Sequence, residues 1–155
     1  MRNNIVLNEP LSRHTSWKVG GPADIFFTPN DRNDLSDFLK SNDCLITWLG
    51  NGTNILVRDA GVRGAVISTR KSFNKIESID QSNYLVEVGV SCFELAMYAT
   101  KNNFGPAAFF SGIPGSIGGA LTMNAGCFGN ETWEFVKSVE VMDRNGEIHQ
   151  LDPEE

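Results

Sequence analysis

Cysteine is scarce in this chain of 155 residues, which has only Cys44, Cys92 and Cys127. The three are far apart and form no C-x-x-C pair, so the sequence indicates neither a zinc site nor a disulfide framework. We therefore predict no metal site. Unpaired, scattered cysteines are typical of a reducing compartment, and we expect the protein in the cytoplasm.

Long apolar runs and excess positive charge are also missing. No run approaches the roughly 20 apolar residues of a membrane-spanning helix, and residues 1–4 are not followed by the apolar core of a signal peptide. Thirteen basic residues against nineteen acidic ones give a net charge of −6, which argues against nucleic acid or an anionic membrane as a partner. The length fits one domain, or two small lobes that share a core.

Glycine, by contrast, is concentrated in one stretch. Six of the fifteen glycines fall within residues 112–129, where there is no lysine or arginine. Glycine lets backbone approach a ligand closely, and this stretch leads into a predicted helix start whose free N–H groups would suit a phosphate. The alternative is a tight turn between packed elements. The spacing matches neither a P-loop nor a dinucleotide fingerprint, and we interpret the stretch as a ligand cradle.

A second glycine-rich loop, residues 50–54, follows a predicted β-α-β unit. The unit consists of a strand at 23–28, a helix from Asp31 to about Ser41 and a strand at 45–49. Open α/β sheets bind ligands at the carboxyl ends of parallel strands, so we predict an anion nest of amides here, with the Thr53 hydroxyl and the Asn54 amide as further donors. An Asn-Gly hairpin turn explains the five residues equally well.

The remaining pattern gives further elements and several packing residues. Residues 8–22 are predicted to be an irregular arm, and Ser91 with Glu94 forms a capping box that begins a helix. Further strands are predicted at 55–57, 65–68, 84–90, 136–142 and 147–151, the last two joined by a turn at 143–146. We expect structural or packing roles, not chemistry, for His14, Trp17, Trp48, Met97, Phe109, Phe110, Cys127 and Trp133, and an exposed position for His149.

The final residues have the pattern of a helix start. Asp152 is a suitable cap, Pro153 suits the first turn, and two glutamates follow. We therefore expect this sequence to be part of a longer one.

Three motifs, in this order, resemble the UDP-N-acetylenolpyruvoylglucosamine reductase family, the flavoproteins of peptidoglycan precursor synthesis. They are residues 8–24, residues 49–57, and residues 112–120 with 124–126. The resemblance implies an α+β, two-lobed FAD-binding domain of the vanillyl-alcohol-oxidase type, truncated before the substrate domain. We expect a first lobe at residues 13–69 and an incomplete second lobe at 70–155, with FAD between them.

The resemblance also implies the FAD contacts. Residues 50–54 would hold the pyrophosphate, residues 112–119 would line the pyrophosphate and the flavin, and residues 124–126 with Gly129 would close the flavin side. The family usually has another glycine where Asn130 stands, whereas Glu131 is kept. The expected cofactor-binding residues are Gly50, Asn51, Gly52, Thr53, Asn54, Gly112, Ile113, Pro114, Gly115, Ser116, Gly118, Gly119, Asn124, Ala125 and Gly126.

In this family NADPH reduces FAD, and the reduced flavin reduces the enolpyruvyl double bond of a UDP-sugar to give UDP-N-acetylmuramate. A serine, an arginine and a glutamate assist. In the family pattern all three lie beyond residue 155, so no catalytic residue is assigned, and we expect weak or absent FAD binding and no turnover by the chain alone. Two alternatives stay open. One is a non-catalytic flavin module or subunit completed by a separate carboxyl-terminal chain, and the other is a different oxidoreductase on the same scaffold.

Overall fold

A four-stranded sheet organises the amino-terminal part of the computed structural model, which describes residues 4–154. Its strands are β1 (Ile5–Pro10), β2 (Pro22–Phe27), β3 (Ile46–Leu49) and β4 (Val62–Ser68), in the spatial order β1-β2-β4-β3. β1 runs antiparallel to β2, whereas β4 lies between β2 and β3 and is parallel to both. The carboxyl ends of β2, β3 and β4 therefore share one edge of the sheet.

Helix α1 (Arg32–Ser41) connects β2 to β3 and confirms the predicted β-α-β unit. It begins where the Asp31 carboxylate accepts the N–H of Asp34 at 2.8 Å, the cap that the sequence indicates. Its apolar residues recur at helical spacing, so they bury one face against the sheet. On that face the ring of Phe38 stacks on Phe27, with 4.2 Å between ring centroids.

Two predictions in this part of the chain are wrong. Residues 8–22 are not wholly irregular, because β1 pairs with β2 as far as Pro10, and Asn8 interrupts the strand only locally with a φ of 53°. Residues 55–57 form no strand. Val57 is buried but Leu56 is 71% exposed, so an apolar triplet here anchors a loop by one side chain and does not join a ladder.

The middle of the chain forms a second packed unit around two helices, α2 (Cys92–Lys101) and α3 (Ile117–Met123). A short hairpin of β5 (Ile76–Ser78) and β6 (Tyr84–Val86) precedes them, so the predicted strand at 84–90 is real but shorter. The predicted capping box starts α2, since Ser91 Oγ accepts the N–H of Glu94 at 3.1 Å and the Glu94 carboxylate accepts the N–H of Ser91 at 3.0 Å. A 3₁₀ segment (Gly105–Gly112) links the two helices.

Two hairpins complete the chain. The first is β7 (Gly126–Cys127) with β8 (Asn130–Glu131), and the second is β9 (Val139–Met142) with β10 (Ile148–Leu151), joined by the turn that the sequence predicts. Residues 153 and 154 form a turn. The predicted helix start there also depends on residue 155, which lies outside the described residues.

The β9–β10 hairpin packs on helix α1. Arg32 forms a 2.8 Å ion pair with Glu140, and the Ser36 hydroxyl donates to the Gly146 carbonyl at 3.3 Å. Met142 packs against the apolar cluster that contains Phe27 and Phe38. The end of the chain therefore covers its first helix.

Apolar burial falls into clusters on the sheet and one around α2, the 3₁₀ segment and α3. The division into lobes at residues 13–69 and 70–155 stays a prediction. Phe73 and Met142, from beyond residue 69, pack against a sheet cluster.

The predicted packing roles of the aromatic and sulfur side chains are confirmed for some residues and wrong for others. Phe109 and Phe110 are buried as expected, and the Trp133 indole donates to the Leu121 carbonyl at 2.9 Å. Trp17 and Trp48, however, are 68% and 51% exposed. Met97 is 57% exposed because the buried face of α2 is formed by Cys92, Leu95, Ala96 and Ala99.

Within residues 4–154 no helix has both the length and the apolarity to cross a membrane.

Candidate functional site

The two glycine-rich stretches meet in the folded chain. The first, which we call the 50–54 loop, follows β3, and the second, the 112–119 segment, leads into α3. A Cβ placed on Gly50 would lie 2.5 Å from Ser116 Oγ, and one placed on Gly115 would lie 3.8 Å from Thr53 Oγ1. The fold thus brings these two predicted parts of a ligand cradle together.

The shape of the 50–54 loop depends on Gly52. Gly52 is buried and has a φ of +67°, in the left-handed region that favours glycine. A Cβ at this position would overlap the carbonyl oxygen of His14. The N–H of Ser16 donates to the Gly52 carbonyl at 2.9 Å, so the connection between β1 and β2 supports the loop from one side.

The donors of this loop are unused by the protein. Among the described residues 4–154, the backbone N–H groups of 51–54 have no hydrogen-bond acceptor, and neither do the side chains of Asn51, Thr53 and Asn54. Main-chain N–H groups are strong donors that seek partners, and successive N–H groups at a turn make an anion-binding concavity. The loop can therefore offer both backbone and side-chain donors to an anionic group.

The start of α3 behaves differently from its prediction. The N–H of Ile117 donates to the Val90 carbonyl at 2.8 Å and that of Gly118 to the Val88 carbonyl at 2.9 Å. Ser116 Oγ accepts the N–H of Gly119 at 3.3 Å as the helix cap. The prediction of free N–H groups here is wrong, because the segment before α2 lies alongside α3 and its carbonyls accept hydrogen bonds from them.

The glycines of the 112–119 segment serve two purposes. A Cβ at Gly112 would overlap Cys127 Sγ, so packing requires glycine there, and one at Gly118 would lie in tight contact, 3.0 Å from the Val88 Cβ. Gly115 and Gly119 have only ordinary contacts, at 3.8 and 3.6 Å or more. We call this segment the wall. We call Gly115 and Gly119 its open positions, because an added Cβ there would make only ordinary van der Waals contacts.

Residues 124–126 turn the chain after α3. Asn124 ends the helix with a φ of 44°, and its side chain donates to Glu131 at 2.8 Å and accepts the N–H of Trp133 at 3.1 Å. Ala125 accepts the Thr132 hydroxyl at 2.7 Å. The next hairpin then places Cys127 and Phe128 against Gly112, which joins this turn to the wall.

The sequence interpretation missed two cations beside the loop. Lys18 and Arg70, together with Asn51 and Thr53, line a polar cavity of about 210 Å³ on the side where Ser16 supports the loop. A signal existed for Arg70, which lies two residues after β4, because parallel strands β3 and β4 end at the same edge of the sheet.

The buried thiol at the start of α2 offers no nucleophile. Cys92 is buried, and desolvation raises the pKa of its thiol to about 11, which keeps it protonated at neutral pH. Cys127 packs against the cluster around α2, as predicted.

The exposed His149 belongs to a turn-stabilising group. Asp143 accepts the N–H of Glu147 at 2.9 Å and lies 3.2 Å from His149 Nε2. The first of these contacts and, less strongly, the histidine hold the pKa of Asp143 below its usual value. These contacts close the β9–β10 turn.

Comparison with known proteins identifies the family of this chain. The sequence profile of the FAD binding domain matches residues 23–152. This chain belongs to the FAD binding domain family. The α+β class is confirmed with it, and the unused donors of the 50–54 loop fit a cofactor that carries a pyrophosphate.

The relatives of this FAD binding domain are reductases. It is 45% identical over 150 residues to the UDP-N-acetylenolpyruvoylglucosamine reductase of Methylococcus capsulatus, a match that covers 96% of this chain and 49% of the relative. The enzyme of the same name from Legionella pneumophila is 42% identical over 156 residues, with 99% of this chain and 52% of the relative covered. The chain thus spans about half the length of the curated relatives it matches.

A solved structure agrees with these matches. The crystal structure of UDP-N-acetylenolpyruvylglucosamine reductase (MurB) from Thermus caldophilus superimposes with a TM-score of 0.79 at 32% identity, covering 99% of this chain and 53% of that one. The resemblance drawn from the three sequence motifs is confirmed, and the chain corresponds to the FAD-binding portion of that family.

Proposed function

We propose that this FAD binding domain holds the FAD pyrophosphate on the 50–54 loop and places the flavin along the 112–119 segment and residues 124–126. The observation that carries the proposal is the junction at Gly50 and Ser116, where a loop with unused donors faces a wall with two open glycines. Neither part alone has both the donors and the room.

The residues of the chain would divide the work of binding. The N–H groups of 51–54 and the Thr53 hydroxyl would donate to phosphate oxygens. Gly115 and Gly119 would let the backbone of the wall approach the cofactor closely. Ser116 would hold the start of α3 in place through its cap, so that the wall is formed before the cofactor arrives.

The reaction in which this portion takes part is that of its relatives. It would serve NADPH-dependent reduction of UDP-N-acetylenolpyruvoylglucosamine to UDP-N-acetylmuramate in peptidoglycan precursor synthesis. Bound FAD would supply the hydride-transfer chemistry, with NADPH as co-substrate. No residue of this chain is assigned to protonate the substrate, and a complementing carboxyl-terminal chain is the partner we propose for turnover. We place the reaction in the cytoplasm.

The test is a visible absorbance titration of the purified chain with FAD, with folding checked by circular dichroism. We expect a saturable shift of the flavin band with weak affinity, and no consumption of NADPH in the presence of the UDP-sugar. Adding the other half of a relative as a separate chain should tighten the binding. A folded chain whose spectrum with FAD is the simple sum of the two, with and without that second chain, would overturn the proposal.

A further inference from the structure

The polar cavity beside the 50–54 loop has an unusual charge for this molecule. Its charged side chains are Lys18 and Arg70, and no aspartate or glutamate is among the described residues that line it. The whole chain, however, has a net charge of −6. Two cations that line one small cavity with no acid in its lining give that cavity a positive potential, which favours an anionic ligand.

The two cations also differ from three other arginines of the described chain, which are ion-paired. Arg13 pairs with Glu9 at 3.6 Å, Arg32 with Glu140 at 2.8 Å, and Arg63 with Asp24 at 2.8 Å. Within residues 4–154, Lys18 and Arg70 form no ion pair and no side-chain hydrogen bond. Their donors are therefore available to a ligand.

The remaining lining includes His14 and Thr15, whose side chains are already bonded, to Glu9 at 2.9 Å and to the Val19 carbonyl at 3.0 Å. The other neutral residues are free to donate. Ser16, Asn51 and Thr53 line the same cavity, and within the described part of the chain none of their side chains has a hydrogen-bond partner. The set comprises a planar guanidinium, an ammonium, two hydroxyls and an amide. It suits the several oxygens of a phosphate group, which accept hydrogen bonds from many directions.

The peptide group between Gly52 and Thr53 has a defined orientation. The Gly52 carbonyl points to Ser16, so in a trans peptide the N–H of Thr53 points away from Ser16. The backbone N–H of Thr53 and the side chains of Lys18 and Arg70 are therefore separate sets of donors. The cavity adds charge that the backbone of the loop does not have.

We infer that Lys18 and Arg70, with Ser16, Asn51 and Thr53, form a binding site for a phosphate or pyrophosphate group. Two sources share this chemistry. One is the pyrophosphate of FAD, in which case the inference rests on the proposed function, and the other is a separate phosphorylated ligand.

Calorimetric titration of the 155-residue chain with inorganic pyrophosphate at low salt tests the site without FAD. The variants are Lys18→Met, Arg70→Met and the double variant. Lys71→Met is the matched control, because it removes one positive charge from an exposed neighbour of Arg70 that does not line the cavity. Circular dichroism of each variant confirms folding.

We expect saturable binding that weakens about tenfold in each single variant and is lost in the double variant, since each charge-assisted contact removed has a cost of that order. The pyrophosphate affinity of Lys71→Met should stay within about twofold of wild type, and added salt should weaken binding because it screens charge. No binding by the wild-type chain, or equal binding by Lys18→Met, Arg70→Met and Lys71→Met, would overturn the inference.

A second titration, with FAD and with riboflavin, which lacks phosphate, distinguishes the sources. If the double variant loses as much affinity for FAD as for pyrophosphate, and its affinity for riboflavin is unchanged, the site serves the cofactor. If FAD affinity is unchanged while pyrophosphate binding is lost, the site serves a separate phosphorylated ligand. If pyrophosphate binds and FAD does not, the proposed function fails and this inference stands.

Discussion

The 50–54 loop and the 112–119 segment are both rich in glycine, yet they use it in opposite ways. In the loop, glycine produces a turn whose N–H groups have no acceptor in the described chain. In the segment, the N–H groups of Ile117 and Gly118 are bonded to carbonyls, and Gly112 and Gly118 make room for neighbouring side chains and backbone. One stretch is a source of donors and the other is a wall.

The difference teaches that glycine density alone does not identify a ligand contact. The two regions differ in whether their backbone N–H groups have acceptors within the protein, and in which atoms a Cβ would contact at each glycine. Four predictions, in order of decreasing effect, test this division.

The largest effect is expected for Gly52→Ala. The left-handed backbone costs an alanine about 1 kcal/mol, and overlap with the His14 carbonyl should raise the loss of unfolding free energy to about 3 kcal/mol. Gly129→Ala is the control, because Gly129 has a φ of +82° but no atom within 4 Å of its Cβ position. Urea unfolding of both variants measures the difference. Equal losses would show that the His14 contact does not shape the loop.

The junction between the two regions can be tested by a double-mutant cycle. Gly50→Ala should cost about 2 kcal/mol because its Cβ would lie 2.5 Å from Ser116 Oγ, and Ser116→Ala about 1 kcal/mol because it removes a helix cap. The double variant leaves a contact of 3.8 Å between the two Cβ atoms. We therefore expect its loss to be smaller than the sum by about 1 kcal/mol. Strictly additive losses would mean that the two regions do not touch here.

Gly115→Ala should change FAD affinity without changing the stability of the fold. Its Cβ would have only contacts of 3.8 Å, so the free energy of unfolding should change by less than about 0.5 kcal/mol. FAD affinity should nevertheless fall about tenfold, since the added methyl occupies the open side of the wall. Gly105→Ala, also without a close neighbour, is the control that should leave affinity unchanged. Equal FAD affinity of the two variants would remove Gly115 from the binding site.

The smallest effect concerns pH and the start of α2, where the N–H of Cys92 donates to the Gly115 carbonyl of the wall at 2.9 Å. The Ser91 hydroxyl, and then its N–H, hold the pKa of Glu94 below its ordinary value of 4.5. A lowered folded-state pKa means that the stabilisation is present above pH 4.5 and is lost as pH falls through the folded value. Glu94→Gln should therefore be less stable than wild type at pH 6, by less than about 1 kcal/mol for so exposed a group, and equally stable near pH 3. A difference independent of pH would contradict this.

Local signals in the sequence were sufficient for several elements. The Asp31 cap and the Ser91–Glu94 capping box are complete within four residues, so both helix starts could be predicted from the sequence alone. The β9–β10 turn is equally local. The meeting of the 50–54 loop with the wall followed from the family resemblance, since no spacing rule connects Gly50 to Ser116.

Other features depend on contacts between distant parts of the chain and could not be predicted. The carbonyls of Val88 and Val90 take up the donors of α3 only because the chain before α2 lies alongside it. Trp17 and Trp48 were predicted to be packing residues, but nothing described in this chain covers them fully.

The hairpin that covers α1 has a consequence for how the chain folds. The contact between Ser36 and Gly146 spans 110 residues. Closing so long a stretch is entropically costly and slows folding. During synthesis, Arg32 and Ser36 must wait for Glu140 and Gly146, which are made much later along the chain. A fluorescent label on α1 should therefore report a slow, late step in refolding that the α2 capping box does not share.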